Sequence, residues 1–181
     1  MITRKEHDAA QKRAADLIRM AGIRISAQEA RKIEVVDFGL SRLEKEGVQV
    51  LTLVQTERIS VKVLALFPFQ TEPEHWHPPV GKDPGKEETI RVIDGTVYFY
   101  VDGPDTMRKG FIPKGQEACY TLKHEIILKP SEQITLEPGK KHWFQALDQG
   151  AVMFSFSTIA RDVLDQFTDP KIVRTTQISE S

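Results

Sequence analysis

The chain has 181 residues, enough for one domain with a single substantial core, and 40% of them are hydrophobic against 28% charged. A formal net charge of −1 offers neither the basic field that nucleic acid attracts nor a charged face for a membrane surface, and no apolar run is long enough to span a bilayer. The charged N-terminus is not followed by the apolar stretch of a secretion signal, and the lone Cys119 cannot form an internal disulfide, so a reducing cytoplasm is expected.

Residues 1–34 read as a pair of helices. In "HDAAQKRAADLIRMAG" Ala10, Ala14, Leu17 and Ala21 recur at helical spacing before Gly22 stops the run. In "SAQEARKI", Ser26 precedes Glu29 by three residues, the capping-box spacing that opens a second, short helix. Both are expected to pack as scaffold against a sheet or at a dimer contact.

From Val35 the period shortens to that of strands. "VQVLTLVQT", "SVKVLALFPF", "ETIRVI", "TVYFYV", "EIILK", "QITLE", "HWFQA" and "AVMFSFST" are short β-branched and aromatic runs. Asp94-Gly95, Asp102-Gly103, Pro138-Gly139 and Gln149-Gly150 are expected to turn the chain between several of them. No helical pattern alternates with these runs, so residues 35–172 are predicted to form an antiparallel sandwich or barrel, mainly β. The polar tail 173–181, "VRTTQISES", is expected to be loose.

Within this frame "EPEHWHPPVGKDPGKEETI" carries the chemistry. On a strand His75 and His77 face one side and Trp76 the other, so two imidazoles converge as half of a metal site. Glu88 opens the next strand, which is expected to fold back at Asp94-Gly95 as a hairpin and bring the carboxylate beside the histidines. His142 follows the Pro138-Gly139 turn at the start of another strand. Three imidazoles and one carboxylate can thus face one barrel interior. The opposing reading, polar residues at a strand edge, explains an isolated H-x-H but not this combination.

His75-Trp76-His77 with Glu88, and "PGKKH" ending at His142, resemble the two motifs of the cupin superfamily, with an insertion between His77 and Glu88. The strings "FPFQTEPEHWHPPVGKDPGKEETIRVIDGTVYFYVDG", "HEIILKPSEQITLEPGKKHWFQA" and "FTDPKI" are similar to the bacterial D-lyxose isomerases, over Val36 to Ile172. The resemblance implies a cupin (jelly-roll) barrel and a manganese-dependent aldose–ketose isomerase that interconverts D-lyxose with D-xylulose and D-mannose with D-fructose. It implies the metal ligands His75, His77, Glu88 and His142. The donor set itself leaves Mn2+, Fe2+, Co2+, Ni2+ and Zn2+ open.

For proton transfer between C1 and C2, Lys86 is the leading residue. Two positions before Glu88, it shares that ligand's side on an extended chain, and a nearby cation would lower its pKa towards an acid–base role. Against this stands a solvated loop lysine. Asp169, in "FTDPKI", is a second carboxylate able to fold over the barrel mouth, or else an Asx turn before Pro170. Glu125, beside His124, is a third. Two rival functions share the ligand set or the fold: a ferrous dioxygenase, distinguished by oxygen uptake, and a non-catalytic sugar- or metal-sensing cupin, distinguished by binding without turnover. A homodimer is expected, because cupin edges commonly pair.

Overall fold

A computed structural model describes residues 1–180; Ser181 lies outside the described residues. Short strand β1 (Ile2–Thr3) leads into helix α1 (Arg4–Met20). Thr3 caps α1: its hydroxyl accepts from the Glu6 N–H at 3.1 Å while the Glu6 carboxylate accepts from the Thr3 N–H at 2.7 Å. This box starts the helix three residues before the apolar pattern at His7. Ala10, Ala14, Ala15 and Ile18 are buried against Val35, Leu51, Val63, Ala65 and Val152 on the outside of a sheet. The Ser26–Glu29 capping box forms as well, but α2 (Ala27–Ala30) is a single turn, so the expected helix pair is one helix and a turn.

The remaining strands are β2 (Glu34–Val36), β3 (Val48–Gln55), β4 (Ile59–Leu66), β5 (Thr71–Trp76), β6 (Glu88–Val101), β7 (His124–Leu128), β8 (Gln133–Leu136), β9 (His142–Thr158), β10 (Gln166–Phe167) and β11 (Ile178–Ser179). Two long strands, β6 and β9, run antiparallel to each other and pass from one sheet to the other. Their halves 88–95 and 151–158 join β8, β4, β3 and β2. Their other halves, 97–101 and 142–146, join β7, β5 and β10. The two sheets face each other as a jelly roll.

This layout corrects two expected turns. Asp94-Gly95 and Gln149-Gly150 do not end strands; β6 and β9 continue through them with register shifts after Val92 and Gly95. The two glycines lie side by side at φ +77° and +72°, and a Cβ on Gly95 would stand 2.2 Å from the Gly150 carbonyl oxygen. Glycine therefore serves here to let two paired strands bend together at a barrel corner rather than to reverse the chain. Glu88 reaches the histidines at the near end of one continuous strand, not through a hairpin.

Val48, Val50, Leu64, Leu66, Ile90, Val92, Val97, Phe99, Phe144 and Met153 fill the interior. Lys62 shares the inward register of Leu64 and Leu66 on β4, while Val63 and Ala65 face α1. The C-terminal segment is not loose. Val173 N–H donates to the Phe38 carbonyl at 3.0 Å, and β11 pairs in parallel with β1, tying both chain ends together. Among the described residues no helix is long and apolar enough to cross a membrane.

Candidate metal centre

His75 lies near the end of β5, His77 just beyond it, and His142 at the first position of β9, directly opposite His75 in the ladder. The side chains converge in the barrel interior, where one ring nitrogen from each falls within 4.8 Å of the others. Trp76 faces the other way, with the Lys141 ammonium 4.8 Å from its ring centre.

The outer nitrogens fix the orientation of the rings. His75 Nδ1 is 2.8 Å from the Pro73 carbonyl and His142 Nδ1 is 3.0 Å from the Lys140 carbonyl. A carbonyl only accepts, so both Nδ1 atoms carry the hydrogen and both Nε2 lone pairs face inward. The His77 Nδ1 is 2.8 Å from an Asp165 carboxylate oxygen. Burial first, then the neighbouring imidazoles, hold His75 well below its ordinary pKa and push His142 down to about 3, so both rings are neutral. His142 Nε2 is buried with no hydrogen-bond partner. A buried lone pair left unsatisfied is costly, and a divalent cation is a partner that three convergent imidazoles would suit.

Glu88 opens β6 with one carboxylate oxygen 3.1 Å from His77 Nε2 and 3.2 Å from the Lys86 ammonium, while the other accepts from the Ser155 hydroxyl. Burial would raise its pKa, but Lys86, His77 and Ser155 outweigh it and keep the carboxylate ionised. Burial also lowers the His77 pKa, and the Asp165 and Glu88 hydrogen bonds reverse that shift. Two carboxylates thus flank the His77 ring, Asp165 at Nδ1 and Glu88 at Nε2, and together hold its pKa above the ordinary value. The three imidazoles fit a metal site, and the Glu88 carboxylate lies beside His77.

The D-lyxose ketol-isomerase of Cohnella laeviribosi is 51% identical over 166 residues, covering 91% of this chain and 91% of that protein. The chain belongs to the D-lyxose isomerase family, and with it to the aldose–ketose isomerases. The family's sequence profile matches residues 106–181. A protein of Thermosediminibacter oceani named D-lyxose/D-mannose isomerase is 45% identical, over 99% of this chain and 100% of its own length. The L-ribose isomerase of Acinetobacter sp. DL28, solved with L-ribose, has the same fold, with a TM-score of 0.80 at 16% identity and 98% coverage of both chains. Membership separates the chain from the dioxygenase and sensor readings.

In this D-lyxose isomerase family member Lys86 is buried and faces Glu88, and it lies 3.7 Å from Asp162. Burial favours the neutral amine, yet Glu88, Asp162 and Asp165 together raise the pKa, so Lys86 remains an ammonium. These carboxylates act against the lowering that a nearby cation would impose.

The other two acid–base candidates stand elsewhere. Asp169 accepts from the Lys171 N–H at 2.9 Å in an Asx turn and does not line the cavity beside the histidines. Glu125 is saturated by the Tyr100 hydroxyl and the N–H groups of Arg108, Lys109 and Gly110. Burial raises its pKa, but those donors outweigh it, and the carboxylate serves as an anchor for residues 108–110. His124 meets the Thr106 hydroxyl and His7 meets Asp8.

The cavity instead presents Glu72, Lys62, Asp162, Asp165 and Arg174. One Glu72 oxygen is 3.9 Å from His75 Nε2, and the other is buried without a partner. Burial, then the Glu88 charge, push the Glu72 carboxyl up to about 8. Strict alternation would turn Glu72 away from His75, three residues on. An irregularity in the ladder between Glu72 and His75, spanning Pro73, puts both inside. Lys62 was visible in the sequence as a lone charge at an inward position of an apolar strand. Arg174, on the C-terminal strap, pairs with Glu34 at 2.8 Å and approaches Asp162 at 3.6 Å.

Proposed function

We propose that this chain is a divalent-metal-dependent isomerase that interconverts D-lyxose with D-xylulose and D-mannose with D-fructose. The observation that carries the reading is the convergence of His75, His77 and His142 with an unpartnered, buried His142 Nε2. The names of the Cohnella and Thermosediminibacter relatives support the choice of sugars. His75, His77, Glu88 and His142 would hold the ion, with Mn2+ the first choice and Co2+, Fe2+, Ni2+ and Zn2+ compatible with the same donors. When bound, such a cation polarises the sugar carbonyl and stabilises the negative charge of an enediolate.

The chain's own residues do the rest. Lys86, kept as an ammonium, directs N–H donors at the oxygen that gains charge as the proton leaves carbon. Glu72 offers an otherwise unpartnered carboxyl oxygen on the cavity wall, and its oxygen takes the proton from C2 of the aldose and returns it to C1, while the O2 hydroxyl proton passes to O1 to complete the ketose. Its raised pKa favours the protonated form, and a nearby cation opposes that rise, leaving the group able to exist in both forms near neutrality. Leu64, Ile90 and Phe144 wall the cavity with apolar surface. Asp169 and Glu125 have no part in this scheme.

The test is to strip the protein of metal, reload it with each cation and incubate it with D-lyxose and D-mannose. Formation of D-xylulose and D-fructose only after reloading is expected. Equal conversion in chelator, or none with any cation, overturns the proposal. The reading extends to a cytoplasmic homodimer, for which light scattering should give twice the 20.5 kDa chain mass.

A further inference from the structure

We infer that Asp165 is a positioning residue for the metal centre, holding the His77 ring in the orientation that points its Nε2 at the ion. The inference rests on the metal-site reading above. The three histidines differ in what holds them. His75 and His142 are each fastened by a backbone carbonyl two residues upstream, Pro73 and Lys140, so their orientation is built into the local chain. His77 has no such local support. It sits past the last residue of β5, and its Nδ1 is held by a carboxylate 88 residues later in the chain, at 2.8 Å.

Asp165 is itself fixed on both sides. It closes the 3-10 turn Asp162–Leu164 through its N–H, which donates to the Asp162 carbonyl at 3.2 Å, and it precedes β10, which pairs Phe167 with His75. One short segment therefore sets both the His77 ring and, through Asp162, the charge environment of Lys62 and Lys86. A carboxylate on the outer nitrogen does more than a carbonyl would. It fixes the tautomer, restrains ring rotation and makes the inward nitrogen a stronger donor. The most weakly anchored ligand thus has the strongest orienting partner.

The test is metal binding rather than turnover. Mn2+ is titrated calorimetrically into metal-free wild type, Asp165→Ala and Asp165→Glu, with circular dichroism to verify that each is folded. Loss of the orienting carboxylate should weaken Mn2+ by about 10- to 100-fold in Asp165→Ala, and the longer carboxylate of Asp165→Glu should recover part of it. In the Co2+-loaded proteins the exchangeable imidazole N–H resonance of His77 should be sharp in wild type and lost to solvent exchange in Asp165→Ala, while those of His75 and His142 persist. Wild-type affinity and an intact His77 resonance in Asp165→Ala would overturn the inference and leave the metal site standing. Absence of Mn2+ binding in wild type would overturn both.

Discussion

Asp162 is the hub of the charged wall, and its removal should be felt throughout the fold. Its carboxylate pairs closely with the Lys62 ammonium and approaches Lys86 at 3.7 Å and Arg174 at 3.6 Å. In Asp162→Asn the volume is nearly unchanged, so the effect is one of charge. Lys86 keeps Glu88 and Arg174 keeps Glu34, but Lys62, with a side chain only 7% exposed, loses its carboxylate partner. Breaking a buried pair by removing one partner costs roughly 3–5 kcal/mol. The Asp162 side chain is 21% exposed, which lets water relieve part of the loss and favours the lower end, about 3 kcal/mol. With a urea slope of about 2 kcal/mol/M, the unfolding midpoint of the metal-free protein at pH 7 should drop by about 1.5 M. Adding Lys62→Met removes the stranded charge and should restore most of that drop. A midpoint change below about 0.3 M in Asp162→Asn, or no recovery in the double variant, would refute the argument that Lys62 depends on this pair.

Lys86→Met should retain bound metal yet lose about 100-fold or more in kcat, the loss expected for a charged donor to a developing oxyanion; an unchanged kcat at equal metal content would remove it from the mechanism. Gly95→Ala should cost more than about 2 kcal/mol, since left-handed backbone alone costs about 1–2 kcal/mol and its Cβ would meet the Gly150 carbonyl. A thermal midpoint equal to wild type would contradict the corner assigned to that glycine. Stability of the metal-free protein should fall as pH drops from about 6 towards 5. The neutral His75 and His142 take up protons only on unfolding in this range, so their contribution is full above 6.5 and lost towards their low folded values. Glu72, raised to about 8, and His77, held above its ordinary value, act oppositely, so the net slope is small near pH 6.5 and approaches about one proton, or about 1.4 kcal/mol per pH unit, only towards pH 5. Urea midpoints at three pH values check it, and stability rising on acidification would contradict the assignment.

The histidine pair was legible because H-x-H on a strand leaves little freedom, and His142 because a Pro-Gly turn fixed where its strand begins. Glu72 was hidden by the ladder irregularity around Pro73, which alternation cannot anticipate. Asp94-Gly95 and Gln149-Gly150 carry the composition of turns; only their mutual pairing makes them a corner, and pairing between β6 and β9 is long-range information. Glu125 depended on where residues 108–110 settle, a segment with no period to read. Arg174 was lost because a polar tail gives no hint of the strand pairing between β11 and β1 that holds it in place.

The most direct test of the account is an anomalous difference map from crystals of the protein loaded with Mn2+. A single peak per chain in contact with His75, His77 and His142 Nε2 and a Glu88 oxygen is predicted. A peak bound elsewhere, or none at saturating Mn2+, would contradict the account.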